Sequence, residues 1–179
     1  SLEGSMLLMG HTRQATNGEI NLRNTQPIEE GHIIGCHNGS INHFFDSEKK
    51  DYHSDSRELF KRISAQGLER TLRDAEPGAY AISFVSSRDR SLNFSRNDQR
   101  PLYLMWSKAG DTLYWASEYW MLIALGAKVG SGKFQYPVSV KPGVNFSFSL
   151  GSMKERIIPL VVEEVKPSTT MLLPKYCRL

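Results

Sequence analysis

Three groups of polar residues in this sequence have side chains suited to binding a small charged molecule. Arg13 lies in the polar run from Gly10 to Gly18, and a guanidinium binds a carboxylate through two parallel hydrogen bonds. The alternative for this residue is a surface salt bridge. For Asn38-Gly39 the structural alternative is an ordinary hairpin turn. For Asp55 it is the start of a helix, where aspartate is common. Each of the three therefore has a structural and a functional interpretation.

The elements that must position these residues follow from hydrophobic periodicity and turn residues. Met6–Met9 and His32–His37 are predicted strands, the second stopped by the Asn38-Gly39 turn signal. Leu59, Phe60 and Ile63 belong to a helical stripe. The predicted elements that follow are a helical region Asp55–Ala75 broken near Gly67, strands Ala79–Ser86, Ser91–Arg96, Leu102–Trp106 and Leu113–Ser117, a helix Glu118–Leu125 capped by Ser117 and closed by Gly126, and strands Val138–Val140, Asn145–Leu150 and Ile157–Val165.

The order and spacing of these elements indicate the fold class. Short polar turns between neighbouring strands imply antiparallel pairing. Strands, helices, a meander, one helix and further strands argue for an α+β fold with layered antiparallel sheets. A length of 179 residues fits one domain with a substantial core, so we expect a single domain over residues 1–179.

Three short segments, in this order along the chain, resemble a known family. They are the nine-residue run Gly10 to Gly18, His37-Asn38-Gly39 at a strand end, and Ser54-Asp55 opening a helix. Together they resemble the signatures of class II glutamine amidotransferases, and the resemblance extends to about Gly130. It implies the four-layer αββα sandwich of antiparallel sheets of the N-terminal nucleophile hydrolases. It also implies an enzyme that frees ammonia from glutamine and passes it to an acceptor in a synthase active site.

The resemblance assigns roles to the residues that hold glutamine. Arg13 is expected to bind the α-carboxylate of the substrate, with help from Thr16. Asn17 stands where relatives often carry a histidine. Asp55 is expected to bind the α-ammonium, and one of its carboxylate oxygens could still cap the helix. These four residues are the predicted substrate-binding set.

The resemblance assigns Asn38 and Gly39 to the oxyanion hole. An Asn amide and a Gly backbone N–H would then stabilise the tetrahedral intermediate, and losing one such donor costs about 2.7–4 kcal/mol of transition-state stabilisation. His11 and His37 lie inside the signatures, and we expect both to be buried, hydrogen-bonded strand residues. The five histidines of the chain show no metal-ligand spacing, so no metal site is predicted.

The nucleophile of the family is a cysteine at the mature N-terminus, and no residue of this sequence matches it. Cys36 precedes His37 within a strand and is predicted to be a small buried hydrophobe. Cys177 lies outside every motif, and only nine residues precede Gly10, too few to place Ser1 beside Asn38. We therefore expect an N-terminally incomplete domain that lacks its first strands and is inactive alone. Alternatives are a separate upstream chain, or a non-catalytic glutamine-binding or scaffold module of the same fold.

Composition excludes several classes of protein. A net charge of +3 without a basic stripe argues against nucleic acid as partner. No apolar run approaches the roughly 20 residues that span a bilayer, and two cysteines without CxxC spacing suit a reducing cytoplasm. No P-loop or GxGxxG motif is present, so no cofactor is predicted. The expected partners are glutamine, a synthase domain or partner chain, and a second copy of this chain.

Overall fold

The structure is a computed structural model that describes residues 7–13, 18–44, 54–150 and 155–159. Its strands are β1 Ile28–Glu30, β2 Ile33–Ser40, β3 Ala79–Ser86, β4 Ser91–Arg96, β5 Tyr103–Trp106, β6 Leu113–Ala116, β7 Val138–Ser139, β8 Val144–Ser149 and β9 Glu155–Pro159; its helices are α1 Asp55–Gln66, α2 Leu68–Ala75 and α3 Tyr119–Val129. The strands form a six-stranded antiparallel sheet of order β1-β2-β3-β4-β8-β9 and a three-stranded sheet of order β6-β5-β7.

The two sheets pack face to face because their strands alternate in hydrophobicity. Leu92 and Phe94 of β4 and Phe148 of β8 face the second sheet and form a buried cluster with Leu104 of β5. Phe94 is fully buried and meets Phe148 edge to face, with ring centroids 5.9 Å apart. Burying one such side chain contributes about 1.5–3 kcal/mol, so this cluster fixes the sheets against each other.

Helices α1 and α2 cover the outer face of the six-stranded sheet. Leu59, Phe60 and Ile63 of α1 pack into a cluster with residues of β1 to β3. Gly35 of β2 permits this approach, because a Cβ there would lie 2.5 Å from the Phe60 ring. Helix α1 begins at the Ser54 N-cap, whose hydroxyl accepts the Arg57 N–H at 3.2 Å.

Helix α3 covers the outer face of the three-stranded sheet, where Leu122 contacts Met105 and Phe134. The layers therefore run helices, sheet, sheet, helix. The predicted four-layer αββα arrangement of antiparallel sheets is confirmed. The predicted bounds of β3 and β4 and the break between α1 and α2 at Gly67 are also confirmed.

Two predicted strands near the N-terminus were wrong in part. Leu7–Met9 form no strand; Leu7 and Met9 instead pack at the edge of the inter-sheet cluster. Strand β2 does not stop at Asn38-Gly39 but continues to Ser40, because pairing with β3 outweighs the local turn signal.

Helix α3 and the last strand also differ from prediction. Ser117 does not cap α3, since Glu118 holds the N-cap position, and the helix runs through Gly126 to Val129. The Gly126 position contacts Phe134, with 3.7 Å from a Cβ to the ring, so packing carries the helix past a residue that often ends one. The predicted Ile157–Val165 strand is observed as Glu155–Pro159, and its remainder lies outside the described residues. No helix in the described part of the chain is long and apolar enough to span a membrane.

Candidate functional site

A cavity of about 740 Å³ lies at the end of the sandwich where β2 and β3 approach the Gly10–Arg13 segment. Four residues predicted from sequence, in three separate segments, line it: Arg13, Asn38, Gly39 and Asp55. The fold therefore brings the described part of the predicted site together. Thr16 and Asn17 lie outside the described residues, so their predicted roles stay predictions.

Arg13 supplies positive charge to the cavity wall. Its guanidinium is half-buried and donates to two backbone carbonyls of the chain that follows, Gly18 at 3.4 Å and Glu19 at 3.3 Å. These bonds orient the planar group. A guanidinium held in this way is suited to bind a carboxylate group of a ligand in the cavity.

Asp55 supplies negative charge on the cavity wall. Its side chain is 4% exposed, and its oxygens accept the Ile41 N–H at 2.8 Å and the Ser56 N–H at 2.9 Å. Within the described ranges it forms no ion pair with a lysine or arginine. The helix N-cap is Ser54, not Asp55, so capping does not account for this buried carboxylate. A buried charge without a cation is costly, and an ammonium in the cavity would offset that cost.

Asn38 and Gly39 lie at the end of β2, on the cavity side of the sheet. Gly39 has a φ of +149°, and a Cβ there would lie 2.0 Å from the Ala79 carbonyl oxygen. No other residue type fits this position without displacing backbone. The side chain of Asn38 and the backbone of Gly39 both line the cavity, and both could donate hydrogen bonds to an oxygen bound there.

The two motif histidines behave differently. His37 lies in β2, is 2% exposed, and its Nδ1 lies 2.9 Å from the Ser56 hydroxyl. Burial lowers the pKa of His37, partly opposed by the Asp55 carboxylate, so the ring is neutral at pH 7. The prediction of a buried, hydrogen-bonded strand residue is confirmed for His37.

The same prediction is wrong for His11. His11 lies outside the strands and is half-buried. Its Nδ1 has no hydrogen-bond partner among the described residues. Burial, and then the Arg13 charge, lower the pKa of His11. The residue lines the cavity, although its Nδ1 is itself buried. The prediction fails because the segment that carries His11 does not join a sheet.

Cys36 also lines the cavity, two residues before Asn38 on the same face of β2. It is buried, and burial raises the pKa of its thiol to about 12. The thiol therefore stays protonated at neutral pH, and the thiolate is the nucleophilic form. The prediction of a small buried side chain is confirmed.

Several cavity residues were missed by sequence reasoning. They are Gln26, Ser56, Ser83, Arg100, Trp115 and Met121. Gln26 lies in a polar loop and Arg100 in a turn, and neither position has a periodic signal. The loop that carries Arg100 is held by Asn97, whose carboxamide accepts the Tyr80 N–H at 3.2 Å and donates to the Gly78 carbonyl at 2.7 Å.

Comparison with known proteins identifies this fold in solved structures. No protein-family model and no curated protein matches the chain. Glutamine phosphoribosylpyrophosphate amidotransferase from B. subtilis, complexed with ADP and GMP, matches with a TM-score of 0.59 at 19% identity, over 84% of this chain and 34% of that one. A structure described as the allosteric regulatory enzyme of purine biosynthesis gives the same four values. A glutamine aminotransferase class-II domain protein from Silicibacter pomeroyi matches with a TM-score of 0.50 at 16% identity, over 78% of this chain and 73% of that one.

These matches show a shared fold. This chain spans about a third of the length of the first two proteins, covering 34% of each, and most of the length of the third, covering 73%. The fold expected from the three short motifs is therefore confirmed.

Proposed function

We propose that this chain is the glutamine-binding part of a glutamine amidotransferase domain, which frees ammonia from glutamine for transfer to an acceptor. The observation that carries the proposal is the convergence of Arg13 and Asp55 on one cavity, from segments far apart in sequence. Glutamine carries an α-carboxylate and an α-ammonium, so a selective site needs a cation and an anion. The fold neighbours named above support the same assignment.

The reactive end of glutamine is an amide, which hydrolysis converts to a tetrahedral intermediate with an oxyanion. We propose that Asn38 and Gly39 donate hydrogen bonds to that oxygen. In this proposal the nucleophile is an N-terminal cysteine, which a preceding segment or a separate chain would supply. Cys36 does not take this role in the proposal, because its thiol is protonated at neutral pH. The acceptor of ammonia would be supplied by a synthase domain or partner chain.

Calorimetric titration of this chain with L-glutamine tests the binding half of the proposal. We expect saturable binding of L-glutamine, and binding about 30-fold weaker or worse after Arg13→Gln, because truncating one partner of a desolvated charge pair costs about 2–5 kcal/mol. Arg73→Gln is the matched control, since Arg73 pairs with Glu69 at 3.0 Å on the exposed surface of α2. Equal affinity in wild type and Arg13→Gln, or no binding at all, would overturn the proposal.

A second candidate function is a glutamine-binding module without hydrolysis. The observation that favours it is the absence of a reactive thiol among the described residues of the cavity, where Cys36 is protonated. Measuring glutamate release separates the two, in protein to which the encoded upstream segment has been joined. Release that requires Arg13 supports the enzyme; binding of glutamine without release supports the module.

A further inference from the structure

The strand ladder beside the proposed oxyanion hole ends in an unusual way. Strand β1 pairs with β2 from Glu30↔Ile33 to Ile28↔Gly35. The next backbone position of β2 that needs a partner is His37. Its N–H donates to the side-chain oxygen of Gln26 at 2.5 Å, and its carbonyl accepts the side-chain N–H of the same residue at 3.0 Å. The carboxamide of Gln26 therefore makes both bonds that a β1 peptide group would make.

The Gln26 carboxamide has a fixed orientation. Its nitrogen also lies 3.4 Å from the Ser56 hydroxyl, which contacts Nδ1 of His37 at 2.9 Å. Gln26 is 6% exposed, so water competes little for these bonds. A flipped amide would bring its NH₂ group against the His37 N–H, donor against donor. Geometry thus allows one arrangement.

Alternation along β2 gives the direction of the Gly39 N–H. In an antiparallel sheet, successive residues of a central strand bond alternately to the two neighbours. The His32 carbonyl accepts the Ser87 N–H from beyond the end of β3, so even-numbered residues of this strand bond toward β3. His37 bonds toward the β1 side, through Gln26. Gly39 follows two residues later, so its N–H faces the same side as the His37 N–H, where the ladder has ended.

We propose that Gln26 is a positioning residue for the oxyanion hole: its carboxamide replaces the last backbone partner of β2, ends the β1 side of the ladder at His37, and leaves the Gly39 N–H unpaired at the cavity wall. This inference rests on the proposed function for the use of that N–H. A continued β1 strand would pair Gly39 and remove the donor. If the β1 side of the ladder ended without Gln26, the buried His37 N–H and carbonyl would be left unsatisfied, which is costly.

Amide hydrogen exchange measured by NMR on this chain tests the ladder. In wild type we expect a protected His37 N–H, a protected Asn38 N–H bonded to β3, and a fast-exchanging Gly39 N–H. Gln26→Met keeps the length of the side chain and removes its polar atoms, so His37 protection should fall at least about tenfold while Asn38 protection is retained. Gln66→Met is the control, since Gln66 bonds Asp74 at 3.0 Å on the helical layer. General destabilisation would raise exchange at Asn38 and His37 together.

A protected Gly39 N–H in wild type, or unchanged His37 exchange in Gln26→Met, would overturn the inference. Kinetics in hydrolytically competent protein give a second readout. Gln26→Met should lower kcat about 100-fold, the range for loss of one oxyanion donor, and leave KM unchanged. An equal loss carried by KM would contradict a positioning role. If the exchange pattern holds and L-glutamine does not bind wild type, the proposed function fails and the strand-ending role of Gln26 stands.

Discussion

Substitution of Asp55 by asparagine isolates the charge that we assign to the substrate ammonium. The Asp55 carboxylate offers about four acceptor sites on two oxygens. The Ile41 and Ser56 N–H groups occupy two of them, at 2.8 and 2.9 Å, and the Ser56 hydroxyl lies 3.5 Å from one of the two oxygens. We expect an ammonium in the cavity to bind a remaining lone pair. The asparagine side chain of the variant would keep one oxygen and turn an NH₂ group toward one of the two backbone donors.

The structure sets two magnitudes for the Asp55→Asn variant. Loss of one buried hydrogen bond costs about 1–3 kcal/mol of folding free energy, so the variant should fold with a lower Tm. Loss of the charge partner of the ammonium costs about 2–5 kcal/mol of binding free energy. Because about 1.4 kcal/mol is a factor of ten, the Kd for L-glutamine should rise between about 30-fold and about 4000-fold.

Calorimetry with two ligands separates charge recognition from damage to the fold. Glutaramate, which is glutamine without its α-ammonium, cannot use the Asp55 charge, so its affinity should be the same in wild type and Asp55→Asn. Asp74→Asn is the matched control variant, since Asp74 is exposed on α2. A folded Asp55→Asn protein that binds L-glutamine within about threefold of wild type would contradict the role assigned to the Asp55 charge.

Three further outcomes follow from the same contacts. Gly39→Ala should lose more than about 2 kcal/mol in urea unfolding, since its Cβ would lie 2.0 Å from the Ala79 oxygen; Gly132→Ala, with nothing within 4 Å, is the control, and equal stability of the two would contradict the geometry. Because burial lowers the pKa of His37, the unfolded state binds more protons than the native state below about pH 6.5. The free energy of unfolding should therefore decrease as the pH is lowered in this range, by up to about 1.4 kcal/mol per pH unit. The His37→Asn variant should show a smaller slope, and an unchanged slope would contradict the lowered pKa of His37. Cys36, with a pKa of about 12, should resist iodoacetamide at pH 8 in the native state and react in urea; peptide mapping that finds rapid native modification would show a reactive thiol.

The sequence predicts residues that line the cavity better than it predicts the backbone that presents them. Arg13 and Asp55 both line the cavity, and they stand out in the sequence because charged residues inside a motif carry information in their type and order. The ends of β3 and β4 are recognised because polar turns and alternating side chains are local signals. Each of these features lies within a few residues of sequence.

Local sequence patterns do not predict features that depend on pairing between distant segments. Asn38-Gly39 predicts a turn locally, yet β2 continues because β3 lies beside it, with Gly39 opposite Tyr80 in the register. The local sequence predicts that Gln26 is a loop residue. Only the register of β1 against β2 shows that its side chain replaces a backbone partner of β2. Helix α3 passes Gly126 because Phe134 packs there, a contact that no local pattern contains.

A crystal structure of this chain with L-glutamine bound would show directly which groups hold the ligand. We expect the α-carboxylate within hydrogen-bond distance of the Arg13 guanidinium and the α-ammonium against the Asp55 carboxylate. We also expect the side-chain amide oxygen to face Asn38 and the Gly39 N–H. Glutamine bound in the reverse orientation, or at another site while this cavity stays empty at saturating ligand, would contradict the proposed glutamine site.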